Sequence, residues 1–291
     1  MTPQDDAGAP VTRYLETADG RIAYDVQGSG PLVVMVPGMG ELRSSYRFLA
    51  PAIAAAGYRV VTTDLRGHGE SDAGFPSYGD EATASDISAL IDEVGQRRAP
   101  AVIVGNSLAA GAAVIVAARH SERVSGLVLV GPFVRNPPGN AVMTAIFRAM
   151  TMPLWAAAAW RAYMPMLYAG RKPDDFDAYR AAVHASMRRP AYRKAFSLTT
   201  RQTDHAPAAA RLAEVQAPVL VVMGERDPDF PEPAVEAHWV ADALGGRVVM
   251  VPDAGHYPQA QQPESSSRAV LAFLAGSVAG SGTSGAGAPS A

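Results

Sequence analysis

The chain has 291 residues, 48% of them apolar, with a net charge of −3 and a pI near 6.1. That apolar share supports a sizeable core, and the weak negative balance argues against a nucleic-acid-binding surface. With no cysteine, disulfides, a thiol nucleophile and a cysteine metal site are all excluded.

Residues 1–10 read as a flexible leader, without the basic stretch and apolar core of a secretory signal. Val11 to Thr17 and Arg21 to Gln27 read as two strands joined at Asp19-Gly20, a hairpin signal. Leu32 to Val36 is a buried strand running into Pro37-Gly38-Met39-Gly40. Ser44 or Ser45 is expected to cap a helix to about Ala56, with Gly57 ending it. Tyr58 to Thr63 is the next strand, followed by Asp64-Leu65-Arg66-Gly67-His68-Gly69-Glu70-Ser71. Between Glu81 and Val94, Ile87, Leu90, Ile91 and Val94 recur at helical spacing.

The segment Ala101–Ala118 begins with the apolar run Val102-Ile103-Val104. It turns through Gly105-Asn106-Ser107-Leu108-Ala109 and continues as a small-residue helix. A serine between small residues at such a turn has the pattern of a nucleophile elbow, with Ala109 in place of the last glycine. Val124 to Val130 is a further strand, and strands alternating with helices imply a largely parallel sheet with right-handed crossovers. From Phe133 to Leu212 the alternation stops. The expected helices there are Ala141–Met150, Leu154–Leu167, Phe176–Met187 and Ala191–Thr199. Arg148, Pro153, Arg161 and Pro165 interrupt the most apolar part, leaving no membrane-spanning length. The rhythm resumes with a strand at Val219–Met223, a helix at Pro233–Leu244, a strand at Arg247–Val251 and a helix at Glu264–Leu274. Residues 277–291 form a Gly/Ser/Ala tail expected to be disordered.

A serine hydroxyl needs a base, and the base an orienting acid. Asp227, in Gly224-Glu225-Arg226-Asp227-Pro228, and His256, in Ala254-Gly255-His256-Tyr257, each follow a buried strand. The order Ser107, Asp227, His256 and the position of all three past strand carboxyl ends suit a site on an open parallel sheet. Asp229 and Glu225 compete with Asp227 for the acid role. His68 is expected to support its own loop, and His120, His184, His205 and His238 to lie at the surface.

These pieces together resemble an α/β-hydrolase fold protein of the capped esterase and epoxide-hydrolase-like group, from about Thr12 to Ala275. The resemblance implies a hydrolase core at residues 11–132 and 213–276 and a helical lid at 133–212, inserted before the last strands. It implies Ser107 as nucleophile, His256 as base and then acid, Asp227 as orienting acid, and the backbone N–H groups of Met39 and Leu108 as oxyanion donors. Ser107 argues against relatives that use aspartate at the elbow. Pro37-Gly38 stands where the group often has His-Gly. Gly38, Asn106, Trp155 and Tyr257 are candidate pocket residues, and Met150, Met152, Trp160, Tyr163, Met164, Met166 and Tyr168 either line a pocket or fill the lid core. The implied activity is hydrolysis of a small or medium, mostly apolar carboxylic ester, thioester or lactone, without cofactor or metal. The alternatives are carbon–carbon bond hydrolysis of diketone-type substrates and non-catalytic ligand binding. The expected setting is the cytoplasm, with a small apolar ester-like molecule as partner and neither nucleic acid nor membrane involved.

Overall fold

The computed structural model describes residues 11–95, 99–137 and 141–281; the expected leader and residues 282–291 of the expected tail lie outside them. The strands are Arg13–Thr17 (β1), Gly20–Gln27 (β2), Leu32–Val36 (β3), Arg59–Thr63 (β4), Ala101–Asn106 (β5), Val124–Val130 (β6), Val219–Gly224 (β7) and Arg247–Val251 (β8). They form one eight-stranded sheet in the order β1-β2-β4-β3-β5-β6-β7-β8. β1 with β2 and β2 with β4 pair antiparallel, and every later pair is parallel. β3, β5 and β7 are buried at every position, because a strand covered on both faces has no solvent side to keep polar.

Side chains alternate across the sheet and divide the core into two layers. On one face Val34, Ile103, Leu129 and Val221 pack in one cluster with Ile87, Leu90, Val114 and Val240. These come from the helices Asp80–Val94 (α2), Leu108–Arg119 (α3) and Pro233–Leu244 (α9). On the other face Val33, Val104, Val128 and Val222 meet Ile53, Val270 and Phe273, carried by Leu49–Ala55 (α1) and the final helix Pro263–Ser281 (α10).

The expected helix from Ser44 to Ala56 divides in two. Arg43–Tyr46 is a single 3₁₀ turn, and α1 begins only at Leu49, with no serine cap. The Tyr46 hydroxyl, buried and donating to Val36 O, anchors that turn against β3. The final helix runs to Ser281, past the Leu274 end read from its apolar spacing and into the first residues of the expected tail.

Between β6 and β7 lie Ala141–Met150 (α4), Ala156–Leu167 (α5), Phe176–Met187 (α6), Pro190–Gln202 (α7) and the short Ala206–Ala209 (α8). α5, α6 and α7 build a third cluster from Trp160, Met164, Tyr168, Phe176, Tyr179 and Phe196. It closes on Tyr257 and Ala260, with Met39 and Leu42 packed against it. The helical segment therefore sits over the loops that follow β3 and β8.

Candidate functional site

β3 and β5 are neighbours whose next strands in sequence lie on opposite sides of the pair, so their carboxyl ends flank the crevice where the winding reverses. Ser107 joins β5 to α3 as the residue before the helix, with φ 57° and ψ −122°. A non-glycine residue in that region costs about 1–3 kcal/mol and persists only when its surroundings impose it. Here they do. The Ser107 N–H donates to Val130 O and its carbonyl accepts from the Phe133 N–H. A Cβ on Gly105 would lie 2.4 Å from Ala109 O, so this turn closes only over a glycine at that position. Opposite the serine, a Cβ on Gly38 would stand 2.8 Å from Ser107 Cβ. The loop after β3 thus runs directly against the elbow. Among the described residues, the N–H groups of Met39, beside Gly38, and of Leu108, at the first turn of α3, have no acceptor outside helix and strand bonding. Both are free to serve an oxyanion.

His256 Nδ1 lies 2.8 Å from Asp227 Oδ2, and both side chains are almost wholly buried. Asp227 Oδ1 also accepts the Asp229 N–H at 3.0 Å, which leaves its other oxygen for the imidazole. A hydrogen bond at Nδ1 leaves Nε2 as the working nitrogen. The acid that competed with Asp227 is present too, since Asp229 Oδ2 lies 3.6 Å from Nε2. Its Oδ1 accepts from the Tyr163 hydroxyl of α5 at 3.3 Å. Burial is the largest single influence on the imidazole and pushes its pKa down, but Asp227, Asp229 and Glu41 together outweigh it and raise His256 to about 9. Burial raises Asp229 against the opposing pull of His256.

Glu41 has no exposed surface. Its Oε2 accepts from Tyr179 at 2.6 Å and Tyr168 at 3.4 Å, while Oε1 has no partner. Burial pushes its carboxyl up to about 7, with the Tyr179 hydroxyl bond, Arg47 and His256 pulling the other way. It also borders a cavity of about 10 Å³ shared with His68, Val183, Met187 and Phe196. His68 holds the same loop from below. Its Nε2 accepts from the Gly40 N–H at 2.9 Å and its Nδ1 faces Arg66 O at 2.9 Å. Burial holds it down near 4, so it is a neutral donor–acceptor strut at neutral pH.

The four pocket candidates fall in different places. Gly38 abuts Ser107. Tyr257 is buried edge-on to His256, with ring centroids 5.0 Å apart. The Asn106 Nδ2 donates to Val130 O and His256 O, tying β5 to the His256 loop rather than facing a ligand, and its Oδ1 is buried without a partner. Trp155 is not brought to the site. It precedes α5, 43% exposed as a residue, with its indole N–H on Ala149 O. Trp160, about 140° further round at 3.6 residues per turn, is buried and donates to Gly40 O at 2.9 Å. Met152 and Met166 are likewise exposed, whereas Met164 and Tyr168 are core. His205, expected at the surface, is buried with Nδ1 2.6 Å from Asp80 Oδ1, because the chain between α7 and α8 returns across α2 and α3. Sequence reasoning missed Glu41; the signal available was a glutamate in an otherwise glycine-rich and apolar loop beside the Met39 donor.

Asp227, Asp229 and His256 offer donor atoms within 4.8 Å of one another. The Nδ1–Oδ2 hydrogen bond already occupies two of them, so this cluster has the form of an oriented base. Among the described residues, no helix is long and apolar enough to cross a membrane.

A mostly parallel sheet with a strained serine at its switch point, and an acid-paired histidine on the loops after its last two strands, defines a hydrolase-type architecture. Comparison with known proteins agrees. A sequence model described as the alpha/beta hydrolase family matches residues 33–268. The BpoC protein of Mycobacterium tuberculosis, which carries the name of a non-heme bromoperoxidase, is 31% identical, covering 87% of this chain and 97% of its own. A 2-hydroxy-6-oxononadienedioate/2-hydroxy-6-oxononatrienedioate hydrolase of Pseudomonas putida is 28% identical over 93% of this chain and 98% of its own. An esterase from Thermogutta terrifontis has the same fold at TM-score 0.77 and 22% identity, over 92% of this chain and 99% of its own. The chain belongs to the alpha/beta hydrolase family.

Proposed function

We propose that this protein is a serine hydrolase cleaving a small or medium, mostly apolar carboxylic ester, or a related thioester or lactone, through an acyl-enzyme on Ser107. The observation that carries this reading is the strained Ser107 elbow, set beside two unpaired backbone N–H groups, together with a buried His256 oriented by Asp227. Ser107 Oγ gives its proton to His256 Nε2 as it bonds to the substrate carbonyl carbon. The carbonyl oxygen gains charge against the N–H groups of Met39 and Leu108, preorganised donors each worth about 100-fold or more in rate. The carbon–oxygen bond then breaks and the Nε2 proton leaves on the departing alcohol. Water repeats the sequence in reverse and frees the acid. Asp227 keeps Nδ1 protonated and the ring oriented throughout.

The helices between β6 and β7 act as the lid, with Trp160 of α5 bonded to the loop after β3 and Tyr163 to Asp229. The names of the Pseudomonas relative and of two other relatives support a second reading, carbon–carbon hydrolysis on the same residues. A panel of p-nitrophenyl esters with Ser107→Ala as control, together with fluorophosphonate labelling, tests the first reading. Turnover and labelling that vanish in the variant support it, and their absence from the native protein refutes it.

A further inference from the structure

The charge around His256 is one-sided. Around the imidazole are Asp227 and Asp229 from the loop after β7, Glu41 from the loop after β3 and Tyr257 beside it, with Tyr163 of α5 donating to Asp229. Behind Glu41 stand the hydroxyls of Tyr168 and Tyr179. Among the described residues, no lysine or arginine pairs with any of the three carboxylates. The cation that acts on Glu41, Arg47, spends Nε and Nη2 on both oxygens of Asp175 and lies over the Tyr179 ring. Arg226 pairs with Asp253, and Arg180 of α6 with Asp177.

We propose that Asp229, reinforced by Glu41, makes this site reject substrates whose leaving-group side carries a carboxylate and accept neutral or cationic ones. The inference rests on the acyl-enzyme reading above. The geometry sets where the selection acts. A leaving oxygen taking its proton from Nε2 lies about 3 Å from it, and Asp229 Oδ2 is 3.6 Å from that nitrogen. The leaving group therefore departs within about 7 Å of a carboxylate. Asp227 and the imidazolium cancel as a pair, so Asp229 and an ionised Glu41 leave the crevice negative. A substrate carboxylate about 6 Å from Asp229 loses about 100-fold at an effective permittivity near 20. A cation at the same place gains from the same field. The named substrate of the Pseudomonas relative, a dienedioate, carries two carboxylates and is the kind of molecule this site disfavours.

The test is a matched set of butyrate esters assayed at pH 8: 1-propyl, 3-(trimethylammonio)propyl and 2-carboxyethyl, with butyrate release as the readout. The native enzyme is expected to use the carboxylate ester about 100-fold less well than the propyl ester, with the ammonium ester equal or better. Asp229→Asn should remove that 100-fold and bring the two esters to within a fewfold of each other, and adding Glu41→Gln should remove what remains. A ratio between two substrates does not depend on how much enzyme is folded, so partial unfolding of a variant leaves it unmoved. The same ratio is read from inactivation rates with a neutral and a carboxylate-bearing phosphonate, which requires only Ser107 reactivity. Equal use of the carboxylate and propyl esters, or a ratio unchanged in Asp229→Asn, overturns the assignment and leaves the serine-hydrolase reading standing. No butyrate from any ester and no phosphonate labelling overturns both.

Discussion

Glu41→Gln tests whether a buried acid beside the oxyanion loop is held near neutrality. Burial lifts this carboxyl from an ordinary 4.5 to about 7, so the folded state binds its proton more tightly than the unfolded chain does. Below pH 4.5 both states are protonated and no penalty exists. As pH rises through the window from 4.5 to 7 the unfolded chain ionises first and stability is lost, and above 7 the loss is constant. At about 1.4 kcal/mol per pH unit, the full penalty is about 3 kcal/mol, of which about 1 is already present at pH 5. Glutamine has no such term. Its amide oxygen still accepts from Tyr179, and whatever the new NH₂ group costs at the Oε1 position is the same at every pH. Urea unfolding of both proteins at pH 5 and pH 8 isolates the effect. Glu41→Gln should gain about 2 kcal/mol relative to the native protein between the two pH values. An identical stability difference at both would refute the reasoning, because it would mean that Glu41 ionises as freely in the fold as in the open chain.

Asp227→Asn should fold normally and lower kcat about 10⁴-fold, because the amide no longer fixes the Nδ1–H form of His256; steady-state kinetics with circular dichroism separates this from unfolding. The acid limb of kcat/KM should fall near pH 9 rather than 6.5, since His256 is a base only once deprotonated, and Asp229→Asn should move that limb to lower pH. A pH–rate profile on a neutral ester checks both points. Gly38→Ala places a methyl 2.8 Å from Ser107 Cβ, closer than real Cβ contacts, and the shift displaces the neighbouring Met39 donor. It should cost about 100-fold in kcat with a smaller change in KM, measured beside thermal unfolding to show that the core is intact.

What the sequence determined is what short-range chemistry decides. The β-branched runs of β3, β5, β6 and β7 had no polar face, so burial on both sides followed from composition. The elbow was legible because only small residues fit around a backbone turned as sharply as Ser107. Asp227 and His256 were visible as polar residues breaking out at the ends of apolar strands. Helix boundaries at 141–150, 176–187 and 233–244 followed from spacing and from Pro233 at a first turn. The 3₁₀ turn at Arg43–Tyr46 did not, because a bond from Tyr46 to β3 sets it.

The tertiary structure alone decided which ends meet. Trp155 and Trp160 are equivalent in composition, and only the packing of α5 on the β3 loop turns Trp160 in and leaves Trp155 out. His205 became a buried partner of Asp80 because residues 125 apart in sequence were brought together. The two acids two residues apart, Asp227 and Asp229, look alike in the chain. The turn after β7 delivers one to Nδ1 and the other beside Nε2. Only its setting in a glycine-rich, apolar loop hinted at Glu41, and its environment was not legible, since it is made by three tyrosines and a histidine from other parts of the chain. Spacing along a strand or helix is a local quantity. The sign of the charge that a substrate meets is a sum over segments that only folding brings together.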